Sequence, residues 1–175
     1  MEPSRISIRV AGKEDASLIA TLSRRTFYDT FAGYNTAENM DQFLDAQFTH
    51  EQLMEEVGAP RNTFLLAYLD ETPVGYARLY DGSELPRELA GAAAIEISRI
   101  YCDKPAIGKG VGKALMNACL DTGRQKGKEW IWLCVWEHNQ RAIDFYTKTG
   151  FTKFGQHIFI LGQDLQNDWS MKKRL

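Results

Sequence analysis

Apolar and polar residues alternate over Ile6–Val10, a two-residue period that predicts a half-buried strand. The period then lengthens. Over residues 13–30, Leu18, Ile19, Leu22 and Phe27 fall near one face of a predicted helix, which Gly33-Tyr34-Asn35 breaks. Residues 36–48 open with a capping Thr36 and carry a stripe of Met40, Phe43 and Leu44, so a second helix is expected there. A short third helix over 51–57 ends at Gly58 and Pro60.

The period returns to two in the middle of the chain. Residues 63–70 and 72–81 are rich in β formers and meet at Asp70-Glu71, which predicts an antiparallel hairpin. A loop containing Gly82, Ser83, Pro86 and Gly91 leads to a strand over 94–102. A glycine-rich turn, a helix to about residue 126, a strand over 130–136 and a helix over 139–149 follow. Strands are expected over 151–160 and 168–175, with a turn region through Asn167 between them. The order predicts an α/β (α+β) fold, a mixed sheet with helices on its faces. No linker divides the chain, so a single domain over 1–175 is expected.

Composition narrows the function classes. The 175 residues are 44% hydrophobic and 25% charged, with a formal charge of −2, as in an ordinary globular protein. Lys and Arg are scattered, so no nucleic-acid partner is expected. No apolar run approaches a membrane span, and no basic segment followed by a long apolar stretch opens the sequence, so a cytoplasmic protein without membrane association is expected. Cys102, Cys119 and Cys134 stand in apolar contexts without a CxxC spacing and read as buried, reduced thiols. His50, His138 and His157 lie apart, so no metal site is expected. The β edges and apolar tail permit a homodimer.

The stretch Ala106-Ile107-Gly108-Lys109-Gly110-Val111-Gly112-Lys113 carries the first chemical signal. A nucleotide P-loop needs four residues between its glycines and a hydroxyl after its lysine. Here three residues separate Gly108 from Gly112, and Ala114 follows Lys113. The dinucleotide fingerprint GxGxxG is absent too. What remains is a strand, bare backbone and a helix start with Val111, Leu115 and Ala118 facing inward. Such a turn presents main-chain N–H groups and a helix dipole to a diphosphate without a metal. Lys109 and Lys113 add long-range attraction.

The segment 96–151 resembles the GNAT family of N-acetyltransferases. Gly110 and Gly112 match the family's Gln/Arg-x-x-Gly-x-Gly/Ala loop, with Ile107 where the family has Gln or Arg. Asn139, Ala142, Phe145, Tyr146, Gly150 and Phe151 match its NxxAxxFYxxxGF segment, which also contains Lys148. The stretches TFYDTF, EISRIYC, IWLCVWE and HIFILGQDLQNDWSMKK further resemble PaiA-type spermidine/spermine N-acetyltransferases.

The resemblance implies a GNAT fold with a mostly antiparallel sheet of six or seven strands and a splayed pair formed by its fourth and fifth strands. It implies acetyl-CoA as co-substrate and a small-molecule amine, a polyamine, as acceptor. The pyrophosphate would lie on Ile107, Gly108, Lys109, Gly110, Val111, Gly112 and Lys113. The pantetheine arm would pair with Ile100, Tyr101 and Cys102, and Asn139, Tyr146 and Lys148 would complete the cofactor site. Tyr146 is the candidate general acid for the departing thiolate. Glu96, eleven residues before Ile107 as in histone acetyltransferases of the family, is the candidate general base. Its neighbours Ile95 and Ile97 suggest partial desolvation of the carboxylate. For the amine pocket the helical region offers Tyr28, Asp29, Phe31, Tyr34, Glu38 and Asp41. Two other readings stay open: acetylation of protein or other small amines, and a non-catalytic CoA-binding regulatory module.

Overall fold

The structure is a computed structural model and describes residues 5–175. One seven-stranded sheet organises the described residues, in the order β1-β2-β3-β4-β5-β7-β6. The strands are β1 (Ile6–Val10), β2 (Asn62–Leu69), β3 (Thr72–Tyr80), β4 (Ala94–Cys102), β5 (Trp130–Trp136), β6 (Thr152–Leu161) and β7 (Asp164–Arg174). All neighbours run antiparallel except β4 and β5. The helices are α1 (Ala16–Phe31), α2 (Ala37–Ala46), α3 (His50–Glu56), α4 (Val111–Gln125) and α5 (Gln140–Lys148).

Alternation along the central strands assigns the helices to two faces. In β2, Leu65 and Ala67 pack with Val111, Leu115 and Met116 of α4 and Ile143 of α5. Their neighbours Phe64 and Leu66 pack instead with Ile19 and Leu22 of α1. A third cluster, Phe27, Phe43, Phe48 and Leu161 with Phe159 beside it, joins α1 and α2 to the β6 end of the sheet. A two-residue side-chain period thus feeds two apolar layers, as expected for a sheet covered on both sides. Among the described residues, no helix is long and apolar enough to cross a membrane.

The structure moves some predicted boundaries. A single 3-10 turn, Lys13–Asp15, precedes α1, because Arg9 holds the Asp15 carboxylate while that carboxylate accepts the Gly12 N–H. The last two strands form a tight hairpin: Leu161 pairs with Asp164, and Gly162 turns between them at φ 62°. Residues 165–167 are therefore strand, where the polar composition suggested a turn. The pattern there runs opposite to the usual one, with Leu165 exposed and Gln166 buried.

Candidate active site

The β4/β5 ladder breaks early. Only Ala94, Ile95 and Glu96 pair with Trp130, Ile131 and Trp132. Beyond them β4 keeps its β3 partner and β5 keeps its β7 partner, but the two no longer pair with each other. A bulge at Ser98 accompanies the parting, since Leu79 pairs with Ile97 and Arg78 with Arg99. A cavity of about 1230 Å³ fills the wedge. Its walls come from both faces of the sheet, with Ile97, Ile100, Val135 and Tyr146 on the α4/α5 side and Glu96, Tyr101, Trp136 and Asp168 on the α1/α2 side.

On the α4/α5 side, the glycine turn is built mainly from backbone. Residues Lys104–Ala106 form a 3-10 turn, after which Gly108 and Gly110 take φ 81° and 88°, conformations that favour glycine. The Ile107 and Lys109 N–H groups close this turn by bonding to Lys104 and Ala106 carbonyls. The first amide to bond within α4 is Ala114, to the Gly110 carbonyl, which leaves the Val111, Gly112 and Lys113 amides at the helix start without a helical partner. An added Cβ on Gly112 would meet only Phe145, at 3.8 Å, so packing does not demand glycine there; the bare position keeps backbone open to the cavity. Ile107, Gly108, Gly110, Gly112 and Lys113 line the wall. Val111 is buried in the core, and Lys109 and Lys148 are exposed away from the walls. Arg141 of α5 lines the cavity close enough to Cys102 to favour its thiolate electrostatically. It falls at an unspecified position of the NxxAxxFY segment, so the motif gave no signal for it.

Tyr146 is 8% exposed. Burial, then Cys119 and Cys102, hold its phenol well above the usual range, so it stays protonated at neutral pH. Asn139 caps α5 by accepting the Ala142 N–H at 3.3 Å, which fixes the helix that carries Tyr146. Ile100 and Cys102 line the wedge from the same side as Tyr146, while Tyr101 points to the opposite face with Tyr76.

The α1/α2 side is built from side chains. Glu96 accepts a hydrogen bond from Ser83 of the β3–β4 loop. Ile95 and Ile97 are buried on the opposite face and do not enclose the carboxylate, because adjacent residues in a strand point apart. Its cross-strand partner Trp132 is 6% exposed, and its indole N–H has no hydrogen-bond partner among the described residues. The rest of the wall carries Glu84 and Glu88 from the β3–β4 loop, Asp168 from β7, and the rings of Phe27, Phe31, Trp136, Phe154 and Phe159. Asp168 has no side-chain hydrogen-bond partner among the described residues, and burial pushes its carboxyl up to about 6. Of the six pocket residues suggested by α1 and α2, only Phe31 reaches this cavity. Tyr28 and Tyr34 are exposed, Asp29 pairs with Lys104 at 3.7 Å, and Glu38 and Asp41 line a separate shallow hollow.

The cysteines divide. Cys119 is buried as expected, whereas Cys102 and Cys134 are partly exposed in the cavity wall. Burial raises the Cys102 thiol, and it pushes Cys134 up to about 11, against a small lowering by the Ser170 hydroxyl. Neither is primed as a nucleophile at neutral pH. Among the described residues, no three His, Cys, Asp or Glu side chains converge to hold a metal.

The site is thus a parting strand pair that opens onto helix-start amides, with a buried tyrosine in the cavity wall, within a mixed α/β sheet. The model of the acetyltransferase (GNAT) family matches residues 22–151, and the chain belongs to that family. An uncharacterised N-acetyltransferase of Lactobacillus delbrueckii subsp. lactis is 37% identical over 168 residues, covering 96% of each chain. A spermidine N(1)-acetyltransferase of Thermoplasma acidophilum is 26% identical over 83% of this chain and 88% of its own. The crystal structure of a PaiA N-acetyltransferase from Thermoplasma acidophilum in complex with coenzyme A superposes with a TM-score of 0.79 at 23% identity, over 98% of this chain and 99% of that one. The chain is thus an N-acetyltransferase with the GNAT fold.

Proposed function

We propose that this enzyme transfers acetyl from acetyl-CoA to a primary amine of a polyamine, by direct attack within the wedge. The observation that carries the reading is the asymmetry of the cavity: free amides and Tyr146 on one side, carboxylates and aromatic rings on the other. A diphosphate suits the Val111–Lys113 amides, and an extended pantetheine arm suits the unpaired edge of β4. A flexible polycation suits Glu84, Glu88 and Glu96 set among rings.

An alkylamine with a pKa near ~10.4 must lose a proton before it attacks, which costs about 4 kcal/mol at neutral pH. Glu96, held by Ser83, receives that proton directly or through a water that the free Trp132 N–H helps to hold. The nitrogen lone pair adds to the thioester carbonyl, and the tetrahedral adduct collapses with the C–S electrons moving to sulfur. The Tyr146 hydroxyl faces that leaving group as a donor. Its raised pKa makes it a proton-bearing partner for a thiolate whose own conjugate acid lies near ~8.5. The high thiol pKa values of Cys102 and Cys134 favour direct transfer over an acyl-enzyme.

The test is release of free CoA from acetyl-CoA with spermidine, spermine, lysine peptides and aminoglycosides. Turnover with the polyamines is expected to exceed the others. Preference for lysine peptides moves the substrate to protein amines, and CoA binding without turnover on any amine points to a regulatory module.

A further inference from the structure

Register places three cavity residues in a row: Trp136 of β5 pairs with Asp168 of β7, which pairs with His157 of β6. Glu96 lies on the same face but four residues back along β5, opposite Trp132. Cys134, midway between Trp132 and Trp136, feels the charge of both carboxylates. At about 3.3 Å per residue Trp132 and Trp136 are ~13 Å apart along β5, and because β4 and β7 flank β5 at ~4.8 Å on either side, the backbones of Glu96 and Asp168 are ~16 Å apart. Glu96 has a partner in Ser83, whereas Asp168 has neither a hydrogen bond nor an ion pair among the described residues, although it is half-buried. A half-buried anion left unpaired in a ligand cavity is costly unless the ligand brings the opposite charge.

We propose that Asp168 anchors a second ammonium group of the acceptor, so that Glu96 and Asp168 together gauge substrate length. This rests on the amine-acetylating reading above. An extended chain advances roughly 1.2 Å per bond, and each ammonium lies ~2.8 Å inside its carboxylate, so ~16 Å leaves roughly 11 Å between the two nitrogens, or about nine bonds. That is the reach of a triamine with three- and four-carbon spacers; a four-carbon diamine spans about half of it. The methylenes and inner ammonium lie against Trp132 and Trp136, where aromatic faces favour a cation. Asp168 is a specificity residue and takes no proton from the reacting nitrogen.

Its own titration supplies a second readout. The groups that face it are Tyr101 from β4, Cys134 from β5, Glu137 after β5 and His157 from β6. Burial and, less strongly, Glu137 raise its pKa to about 6, while His157 opposes them. As pH falls through about 6 the anchor loses its charge, so KM for a long polyamine rises.

The experiment compares wild type with Asp168→Asn on a monoamine, 1,4-diaminobutane and spermidine, with CoA affinity and circular dichroism as controls of folding. For spermidine, KM is expected to rise about tenfold or more in the variant, with kcat at saturation nearly unchanged. The monoamine and short diamine should keep their wild-type kcat/KM, and the rise of spermidine KM below pH 6 should vanish. Equal loss of kcat on all three amines would assign Asp168 to the chemical step and overturn the proposal. Unchanged spermidine KM overturns it as well. If wild type acetylates none of the amines, the reading beneath the proposal fails with it.

Discussion

The two sides of the wedge differ in what they are made of. The α4/α5 side presents main-chain amides from one unbroken stretch, closed by α5 and its Asn139 cap. The α1/α2 side presents side chains from α1, the β3–β4 loop, β4, β5 and the β6–β7 hairpin. Backbone groups are shared by every sequence that can make the turn, so the first side suits a constant co-substrate. Side chains are set one by one, so the second side suits an acceptor that differs between relatives.

The sharpest way to break this comparison is to disturb the backbone side without disturbing the fold. Gly112→Asp places a Cβ where only Phe145 stands near, and adds negative charge among the helix-start amides proposed to bind the diphosphate. Calorimetry is expected to show CoA affinity falling about 100-fold or more, near 3 kcal/mol. The melting temperature should stay within about 2 °C, because an acidic residue is tolerated in a first helical turn. Retained CoA binding would remove the helix-start amides from the cofactor site.

A smaller effect is expected where the two sides meet. Tyr146→Phe deletes only the hydroxyl proposed as donor to the leaving sulfur. Steady-state kinetics should show kcat reduced about tenfold or more, with CoA affinity little changed. Unaltered turnover would take Tyr146 out of the mechanism.

The smallest effect sharpens the side-chain half. The Asp168 carboxyl sits at about 6, above its ordinary 3.8, so the folded protein binds the extra proton between those values. Stability contributed by protonated Asp168 is therefore present at low pH and is lost as pH rises towards 6. Asp168→Asn should raise the melting temperature at pH 7.5 by about 2–4 °C, a range that allows for partial solvent screening. The gain should disappear near pH 4. A lowered melting temperature at pH 7.5 would mean that the carboxylate has a stabilising partner in the fold.

The same contrast explains what could be read from the chain. The glycine turn and the segment from Asn139 to Phe151 are contiguous, and their spacing follows from helix geometry, so both stood out. The amine side had no such spacing. Glu84 and Glu88 lay in a stretch legible only as a loop, and Asp168 at the expected start of a strand. α1 and α2 gave a clear core stripe but misled on the pocket, since five of their six suggested residues point elsewhere. Reading Ile95 and Ile97 as the surroundings of Glu96 failed for a plain reason: sequence neighbours in a strand are spatial opposites. The early parting of β4 from β5 was accessible only through resemblance, because no local pattern marks where a ladder stops.

That parting has a consequence for traffic through the enzyme. Because the gap has walls on both faces of the sheet, the proposed assignment would bring coenzyme and acceptor in from opposite sides. The acetylated amine would then leave by the side it entered, without crossing the coenzyme.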